Sequence, residues 1–288
     1  MSCHQFAVPL HPQMISKNRF KAIRQLENKK SRREKGLFVT EGPKVVGDLL
    51  EIENAVTVIA TEQWLRLHPV SDETEIIVVN DEELRRLSFL QHPQQVMALF
   101  NIPAPLTDID AMAEIVSCRL CIALDGVRDP GNLGTIIRIA DWFGIDTIFC
   151  SEDTADVYSP KVIQATMGSI ARVKVVYVNL PELMDALPKD VPVYGTVLDG
   201  ENIYQTKFHD TGLLVMGNEG KGISSDVLSR LTKKLFIPNF PTQRVVANVD
   251  DSYNANGLSR ADSLNVAIAT AIACSEFRRT LYFPNPFQ

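Results

Sequence analysis

Residues 120–138 read LCIALDGVRDPGNLGTIIR, and their pattern sets the expected fold class. The apolar run from Leu120 to Leu124 predicts a buried strand, and the glycine, proline and asparagine residues that follow predict a turn. We expect a helix to begin at Leu133, with Asn132 as its N-cap. Such a strand–turn–helix junction gathers free backbone N–H groups at a helix N-terminus, where polar or anionic ligand groups can bind.

Strands and helices alternate through the rest of the chain. Continuous apolar strands recur after Leu120 with helices between several of them, which indicates an α/β domain with a parallel sheet covered on both faces. The last helix is predicted to begin near Ser263 and to pack through a face that includes Leu264 and Ile268. An earlier α/β alternation ends near Phe100, and a proline-containing segment follows it.

The length and composition fit a globular protein of two domains. The 288 residues are 45% apolar and 22% charged, with a net charge of −6. We expect a smaller α/β domain over residues 1–101, a linker over 102–119 and the larger domain over 120–288. The acidic balance argues against a generic polyanion binder, although a local basic patch can still bind RNA.

The five cysteines are too few and too scattered for a disulfide framework. Cys118 and Cys121 form a C-x-x-C pair, but no second Cys/His pair lies near it in the sequence, so we expect no zinc or other metal. The sequence contains no signal peptide and no apolar run of membrane-spanning length. These features predict a cytoplasmic protein with buried, reduced thiols and no membrane partner.

A strongly basic segment lies near the N-terminus. Residues 17–35 carry nine Lys or Arg residues and only two Glu residues, within an acidic chain. Such a run is either a solvated helix face or a surface that binds phosphate groups. The residues that we expect to contact RNA phosphates are Lys17, Arg19, Lys29, Lys30, Arg32 and Arg33.

A glycine-rich cluster follows another predicted buried strand and reads LVMGNEGKGIS over residues 214–224. Three glycines surround Glu219, and glycines at the carboxyl end of a strand let a ligand approach the backbone closely. The phosphate-loop pattern fails because Gly222 follows Lys221, and the dinucleotide-binding pattern fails on spacing. The alternative is a tight turn in which Ser224 caps the next helix.

Further polar residues mark the last helix and the helix after Asn132. Ser263 is a good candidate for an N-cap, and Asn265 in the first turn can hold a ribose or phosphate group. Arg138 lies off the apolar stripe of its helix. Taken alone, its position favours a surface pair with Asp141 at i+3, which stabilises a helix only slightly.

Three motifs in this order resemble the SpoU class of the SPOUT methyltransferase superfamily. They are Asp129-Pro-Gly-Asn-Leu-Gly-Thr-Ile-Ile-Arg138, Gly217-Asn-Glu-Gly-Lys-Gly-Ile-Ser224, and Ile237-Pro238 with Ser263-Leu-Asn-Val-Ala267. Ser159-Pro-Lys161 and Ala165-Thr-Met-Gly-Ser169 also resemble family segments, and the likeness covers residues 120–280. The stretch Lys35-Gly-Leu-Phe-Val-Thr-Glu-Gly42 is similar to a substrate-binding domain whose fold is like that of ribosomal proteins that grip structured RNA.

The resemblance implies a sheet whose C-terminal segment is tucked into a deep trefoil knot, and a homodimer that binds S-adenosylmethionine in the knot. The cofactor contacts that it implies fall on Gly217, Gly220, Ile237 and Leu264. The catalytic and substrate positions that it implies fall on Asn132, Arg138, Glu219, Ser263 and Asn265. One departure is an insertion, because 24 residues separate Pro238 from Ser263 where the family usually has a handful. This insertion is a lid, an RNA contact or a disordered segment.

The resemblance also implies methyl transfer to a ribose 2′-OH, the group that distinguishes RNA from DNA. The extra N-terminal domain favours rRNA over tRNA as the substrate. Because arginine keeps its proton in proteins, we expect Arg138 to orient the ribose and stabilise negative charge rather than to act as a base. Glu219 is expected to orient partners at the cofactor loop, including Arg138 of the other subunit. The alternatives are a tRNA enzyme, a non-catalytic RNA-binding or ribosome-assembly protein, and a nucleotide-dependent enzyme with an ordinary parallel sheet.

Overall fold

The computed structural model describes residues 15–239 and 263–282. The described residues divide into two compact units. The first unit comprises residues 15–106, 128–148 and 155–176. The second unit comprises residues 107–127, 149–154, 177–239 and 263–282. Among these residues, no helix is long and apolar enough to cross a membrane.

The regular elements alternate along the chain, as the sequence predicts. The helices are α1 (Lys17–Arg24), α2 (Lys29–Lys35), α3 (Pro43–Leu50), α4 (Glu62–Leu67), α5 (Asp81–Leu87), α6 (Ile109–Cys118), α7 (Pro130–Trp142), α8 (Pro160–Thr166), α9 (Leu180–Ala186), α10 (Ser225–Leu228) and α11 (Val266–Tyr282). The strands are β1 (Leu37–Glu41), β2 (Thr57–Ala60), β3 (Glu75–Val78), β4 (Val96–Asn101), β5 (Leu120–Asp125), β6 (Thr147–Cys150), β7 (Lys174–Tyr177), β8 (Val193–Asn202), β9 (Gly212–Gly217) and β10 (Lys233–Phe236). Short 3-10 turns occupy Gln25–Glu27, Ser169–Ala171 and Ile203–Gln205.

A four-stranded mixed sheet in the order β1-β4-β2-β3 forms the centre of the first unit. Strand β4 is antiparallel to β1 and β2, whereas β2 and β3 are parallel. Alternate residues of a strand point to opposite faces, so Val96, Ala98 and Phe100 enter one apolar cluster while Met97 and Leu99 enter the other. Helices α3 and α4 cover the first face, and α1 and α5 cover the second.

A six-stranded sheet has the order β10-β8-β9-β5-β6-β7. Strand β9 runs parallel to both β5 and β8, and β8 runs parallel to β10. This arrangement confirms the predicted α/β fold class with a parallel sheet after a smaller N-terminal domain. Helix α6 lies within the segment expected to be a linker, and it packs against β5, β9 and α9 of the second unit through Met112 and Val116.

The packed face of α11 differs from the predicted one. Leu264 and Ile268 are 50% and 53% exposed, whereas Thr270 and Cys274 are buried. The reason is the fully buried Phe277 of the same helix. Its ring lies 4.9 Å from the ring of Tyr194 and 4.0 Å from that of Phe208, and this contact sets the rotation of the helix about its axis. The knot and the insertion between Pro238 and Ser263 depend on residues 240–262, which lie outside the described residues, so both stay predictions.

Candidate functional site

The loop that follows β9, here called the glycine loop (residues 217–222), is closed by its own hydrogen bonds. Asn218 and Gly222 exchange two backbone bonds of 2.9 Å each. The side-chain Oδ1 of Asn218 accepts from the backbone N–H groups of Gly220 and Lys221, both at 3.0 Å. A Cβ at Gly217 would overlap the backbone of Gly222 and Ile223, so the loop requires glycine there. Gly220 and Glu219 are exposed near the tip.

Two side chains tie the glycine loop to the end of β5. Nδ2 of Asn218 donates to the carbonyl oxygen of Gly126 at 2.7 Å. Oδ2 of Asp125 accepts from the backbone N–H of Ser224 at 2.6 Å. Neither Asp125 nor Asn218 was predicted from the sequence as a residue that shapes this loop. The available signal is that each stands at the carboxyl end of a buried strand, where a polar side chain needs a partner.

The parallel direction of these strands brings the predicted cofactor positions to one edge of the sheet. Gly217 ends β9, and Ile237 follows the last residue of β10, so both lie at the carboxyl edge. Strand β8 adds a further segment to this edge, which the sequence did not predict. The pairing of β8 with β10 shifts in register between Lys234 and Leu235. Residues 196–200 of β8 therefore leave the regular ladder. They begin at Thr196, whose Oγ1 lies 3.6 Å from Sδ of Met216.

The N-cap of α11 is Asn265 and not Ser263. Oδ1 of Asn265 accepts from the backbone N–H groups of Ala267 at 2.9 Å and Ile268 at 3.3 Å. Ser263 and Leu264 are exposed and precede the helix. The prediction of Ser263 as a cap was wrong because a neighbouring asparagine performs the same capping bond two residues later. Helix α11 packs against β9, the strand that carries the glycine loop.

The first motif lies on α7, in the other unit. The N-cap of α7 is Asp129, whose Oδ1 accepts from the backbone N–H of Asn132 at 2.8 Å. Pro130 occupies the first helical position, which it favours because it has no N–H to leave unsatisfied. The helix therefore begins earlier than predicted. Asn132 is its partly exposed third residue rather than its cap.

Arg138 is exposed on α7 and makes no hydrogen bond or ion pair to any residue that the structure describes. The surface pair with Asp141 that the sequence favoured does not form. Asp141 is instead held by Arg172, whose Nη2 lies 2.8 Å from Oδ2 of Asp141. The role of Arg138 in ligand binding stays a prediction.

Five of the six basic residues expected to contact RNA are exposed. Lys17, Arg19, Lys29, Lys30 and Arg33 are exposed. Arg32 is only 2% exposed, and its Nη1 donates to the carbonyl oxygens of Leu26 and Glu27, each at 2.7 Å. Its Nη2 forms an ion pair with Asp156. The prediction that Arg32 contacts RNA is therefore wrong, because the side chain is buried and its Nη1 and Nη2 bind groups within the unit.

The remaining polar groups give no sign of a metal centre. No group of three or more His, Cys, Asp and Glu side chains in the described part of the chain is arranged to hold a metal ion. Of the cysteines, Cys121, Cys150 and Cys274 are buried, while Cys118 is exposed, contrary to expectation. Burial raises the pKa of Cys274 to about 12, so this thiol stays protonated at neutral pH.

The parallel sheet and the glycine loop at its carboxyl edge define an α/β protein of the class in which ligands bind at the carboxyl ends of the strands. The SpoU rRNA Methylase family model matches residues 119–275, more than half of the chain, and the protein belongs to this family. An MRM3-like substrate binding domain matches residues 17–98.

Proteins with related sequences and structures carry consistent names. The 23S rRNA (guanosine(2553)-2'-O)-methyltransferase RlmP of Bacillus subtilis is 30% identical over 88% of this chain and 94% of its own length. The AdoMet-bound rRNA methyltransferase from Sinorhizobium meliloti is 29% identical with a TM-score of 0.77, covering 94% of this chain and 97% of that chain. The SpoU methyltransferase AviRb from Streptomyces viridochromogenes, solved with AdoMet, is 25% identical with a TM-score of 0.74, covering 94% and 100%.

Proposed function

We propose that the protein transfers a methyl group from S-adenosylmethionine to a ribose 2′-OH of ribosomal RNA. The observation that carries this proposal is the glycine loop, closed by Asn218 at the carboxyl edge of the sheet in a SpoU family chain. The choice of rRNA is supported by the names of the relatives from Bacillus subtilis and Sinorhizobium meliloti, both of which are rRNA methyltransferases. We also propose a cytoplasmic location, as the sequence predicts.

The residues at the carboxyl edge fit an adenosyl group and an amino-acid group. Gly217 lets the backbone of Gly222 and Ile223 close over the end of β9, and we assign the main-chain polar contacts of the cofactor to Gly217, Gly220 and Ile237. An adenine ring also needs apolar contact. The side chains of Leu198 and Leu264 are 73% and 50% exposed, next to elements that form this edge, and we assign the adenine contact to them.

The bound cofactor supplies an electrophilic methyl carbon. The difficulty of the reaction lies in the ribose hydroxyl, which is a weak acid and a poor nucleophile. Arg138 donates hydrogen bonds to the 2′-oxygen and the adjacent phosphate, and its charge stabilises the negative charge that develops on the oxygen. Arg138 itself keeps its proton, so the hydroxyl proton leaves to another acceptor.

The other predicted site residues receive supporting roles in this proposal. Asn132 and Ser263 position the RNA by hydrogen bonds, and Asn265 fixes the start of α11 and thereby the backbone beside the cofactor. Glu219 orients partners at the glycine loop, including Arg138 of a second subunit. We propose that the protein is a homodimer, as the resemblance to the family implies.

The proposed RNA-binding surface is the exposed part of the basic segment. Five side chains remain from the six that the sequence suggested, since Arg32 is buried. They are Lys17, Arg19, Lys29, Lys30 and Arg33. Arg19 forms an ion pair with Glu75 and Lys30 lies 3.8 Å from Glu34, so phosphate must compete with those carboxylates.

The test is transfer of labelled methyl from S-adenosylmethionine to total rRNA and, separately, to total tRNA, followed by nucleoside analysis. A 2′-O-methylated nucleoside from rRNA is the expected result, and the Arg138→Ala variant serves as the inactive control. Label in tRNA alone would favour the tRNA enzyme. Cofactor binding without transfer to either RNA would point to an assembly intermediate as substrate. Absence of both would favour a non-catalytic RNA-binding protein.

A further inference from the structure

The most extensive charged network of the first unit surrounds Arg172. Its Nε lies 3.1 Å from each carboxylate oxygen of Asp141, and its Nη2 lies 2.8 Å from Oδ2. Its Nη1 lies 3.4 Å from Oδ2 of Asp48, which also receives a 3.0 Å bond from Lys44. A bidentate arginine–carboxylate pair is more directional than an ordinary surface ion pair. Arg172 therefore fixes the direction of the Asp141 carboxylate.

The turn that precedes Arg172 gives a structural role to a sequence motif to which the proposed function assigns none. The stretch Ala165-Thr-Met-Gly-Ser169 contains Gly168 at φ 93°, a left-handed conformation that favours glycine. A Cβ at Gly168 would also collide with the Asp48 carboxylate. The short 3-10 turn after it ends at Ala171, so Arg172 leaves this turn next to Asp48 and Asp141.

The position of Asp141 makes it a competitor for Arg138. The two residues are separated by three positions on α7, and residues at i and i+3 are neighbours on a helix surface. Opposite charges at this spacing pair in isolated helices, yet Arg138 has no partner among the described residues. Burial raises the pKa of Asp141, but the hydrogen bonds from Arg172 outweigh it and leave the pKa below its ordinary value. Asp141 is therefore a full negative charge at neutral pH.

We propose that Arg172 is a positioning residue that withholds the Asp141 carboxylate from Arg138 and so keeps the Arg138 guanidinium available to RNA. This inference rests on the proposed function, because it assumes that Arg138 acts on the ribose. It assigns Arg172 a role without any contact to substrate. The competing explanation is that Arg172 only holds α7 against the 3-10 turn.

The variant Arg172→Met removes the guanidinium and keeps an apolar side chain of similar length. Asp141 then keeps the hydrogen bond from Ser169 but loses those from Arg172, so its carboxylate can pair with Arg138. An exposed pair of this kind lowers kcat/KM about two- to fivefold at low salt. The variant Asp141→Asn in the presence of Arg172 should retain wild-type kcat/KM, because it removes the competitor. The double variant Arg172→Met/Asp141→Asn should recover the loss, which a merely structural role of Arg172 does not predict.

A second readout is independent of methyl transfer. The side-chain Nε–H signal of Arg138, assigned by comparison with Arg138→Lys, is followed by ¹⁵N NMR in the full-length protein. Its exchange with water should be slower in Arg172→Met and return to the wild-type rate in the double variant. Arg172→Lys keeps the positive charge but cannot form the bidentate pair with Asp141. The exchange rate of the Arg138 Nε–H in this variant should lie between those of wild type and Arg172→Met. Arg172→Lys replaces Arg172→Met if the latter fails to fold.

The outcomes separate the two proposals. An unchanged Arg138 signal in Arg172→Met, or a loss of activity that Asp141→Asn does not recover, overturns the role of Arg172. Reduced activity of Asp141→Asn alone overturns it too, since the pair would then be required for packing. If the wild-type protein neither binds S-adenosylmethionine nor transfers a methyl group, the proposed function fails, while the NMR comparison still decides whether Arg172 withholds Asp141.

Discussion

Replacement of Asn218 by Asp tests whether the glycine loop binds the cofactor. The two side chains have the same shape, so Asp retains an acceptor for the backbone N–H groups of Gly220 and Lys221, which lie 3.0 Å from Oδ1. What changes is the 2.7 Å bond to the carbonyl oxygen of Gly126. Asp has no N–H to donate, and a carboxylate oxygen then faces a carbonyl oxygen.

The size of the effect follows from that single bond. A neutral hydrogen bond contributes about 0.5–1.5 kcal/mol, and a buried acceptor left without a donor costs about 1–3 kcal/mol. We take about 2–3 kcal/mol as the destabilisation of the closed loop. If S-adenosylmethionine binds only the closed loop and the loop of the variant is mostly open, its dissociation constant rises by up to about 30- to 150-fold, since about 1.4 kcal/mol corresponds to a factor of ten.

The measurement is isothermal titration calorimetry with S-adenosylmethionine at one fixed salt concentration. Gln63→Glu introduces the same change in charge at an exposed position of α4 and should leave the dissociation constant unchanged. Asn218→Ala, which removes all three bonds, should bind at least as weakly as Asn218→Asp. A dissociation constant for Asn218→Asp within threefold of the wild-type value would show that the bond to Gly126 does not shape the cofactor site.

Three further substitutions test other parts of the proposed site. Arg138→Ala should lower single-turnover methyl transfer about 10²- to 10³-fold with S-adenosylmethionine affinity unchanged, and near-normal turnover would remove Arg138 from the mechanism. Gly217→Ala should abolish cofactor binding while the circular dichroism spectrum is preserved, because a Cβ overlaps the backbone of the glycine loop; retained binding would contradict this placement. Replacing Lys29, Lys30 and Arg33 together by Gln should weaken RNA binding and reduce the slope of log affinity against log salt by about 2 to 3, and an unchanged slope would identify the segment as a solvated face.

The fold class could be predicted from local pattern because buried parallel strands have a strong sequence signal. The run from Leu120 to Leu124 is a strand in the structure, and it pairs with β9 as part of a parallel sheet. The first residues of the helices were harder to predict from the sequence. Asn132 and Ser263 each have a capping side chain, but Asp129 and Asn265 take the caps, since several polar neighbours compete and backbone geometry selects one.

Contacts between distant residues could not be predicted. Arg32 looked like its exposed neighbours because its partner Asp156 lies 124 positions away in the chain. The hydrogen bond from Asn218 to Gly126 spans 92 positions, so no local sequence pattern predicts it. The resemblance to a family supplied the identity of the site residues, whereas the side-chain atoms that shape the loop required coordinates.

The first unit combines the N-terminal sheet with later segments of the chain, and this has a consequence for truncated or chimeric forms of the protein. Ile163 of α8 belongs to the apolar cluster that also contains Phe38 and Ala98 of the N-terminal sheet, and Tyr158 packs against the same cluster. A fragment that starts at the family-model boundary near residue 119 would carry Ile163 and Tyr158 without their partners and would be prone to aggregate. A chimera that exchanges the N-terminal domain between relatives must therefore exchange residues 155–176 with it. Otherwise the N-terminal sheet and residues 155–176 will not pack against each other.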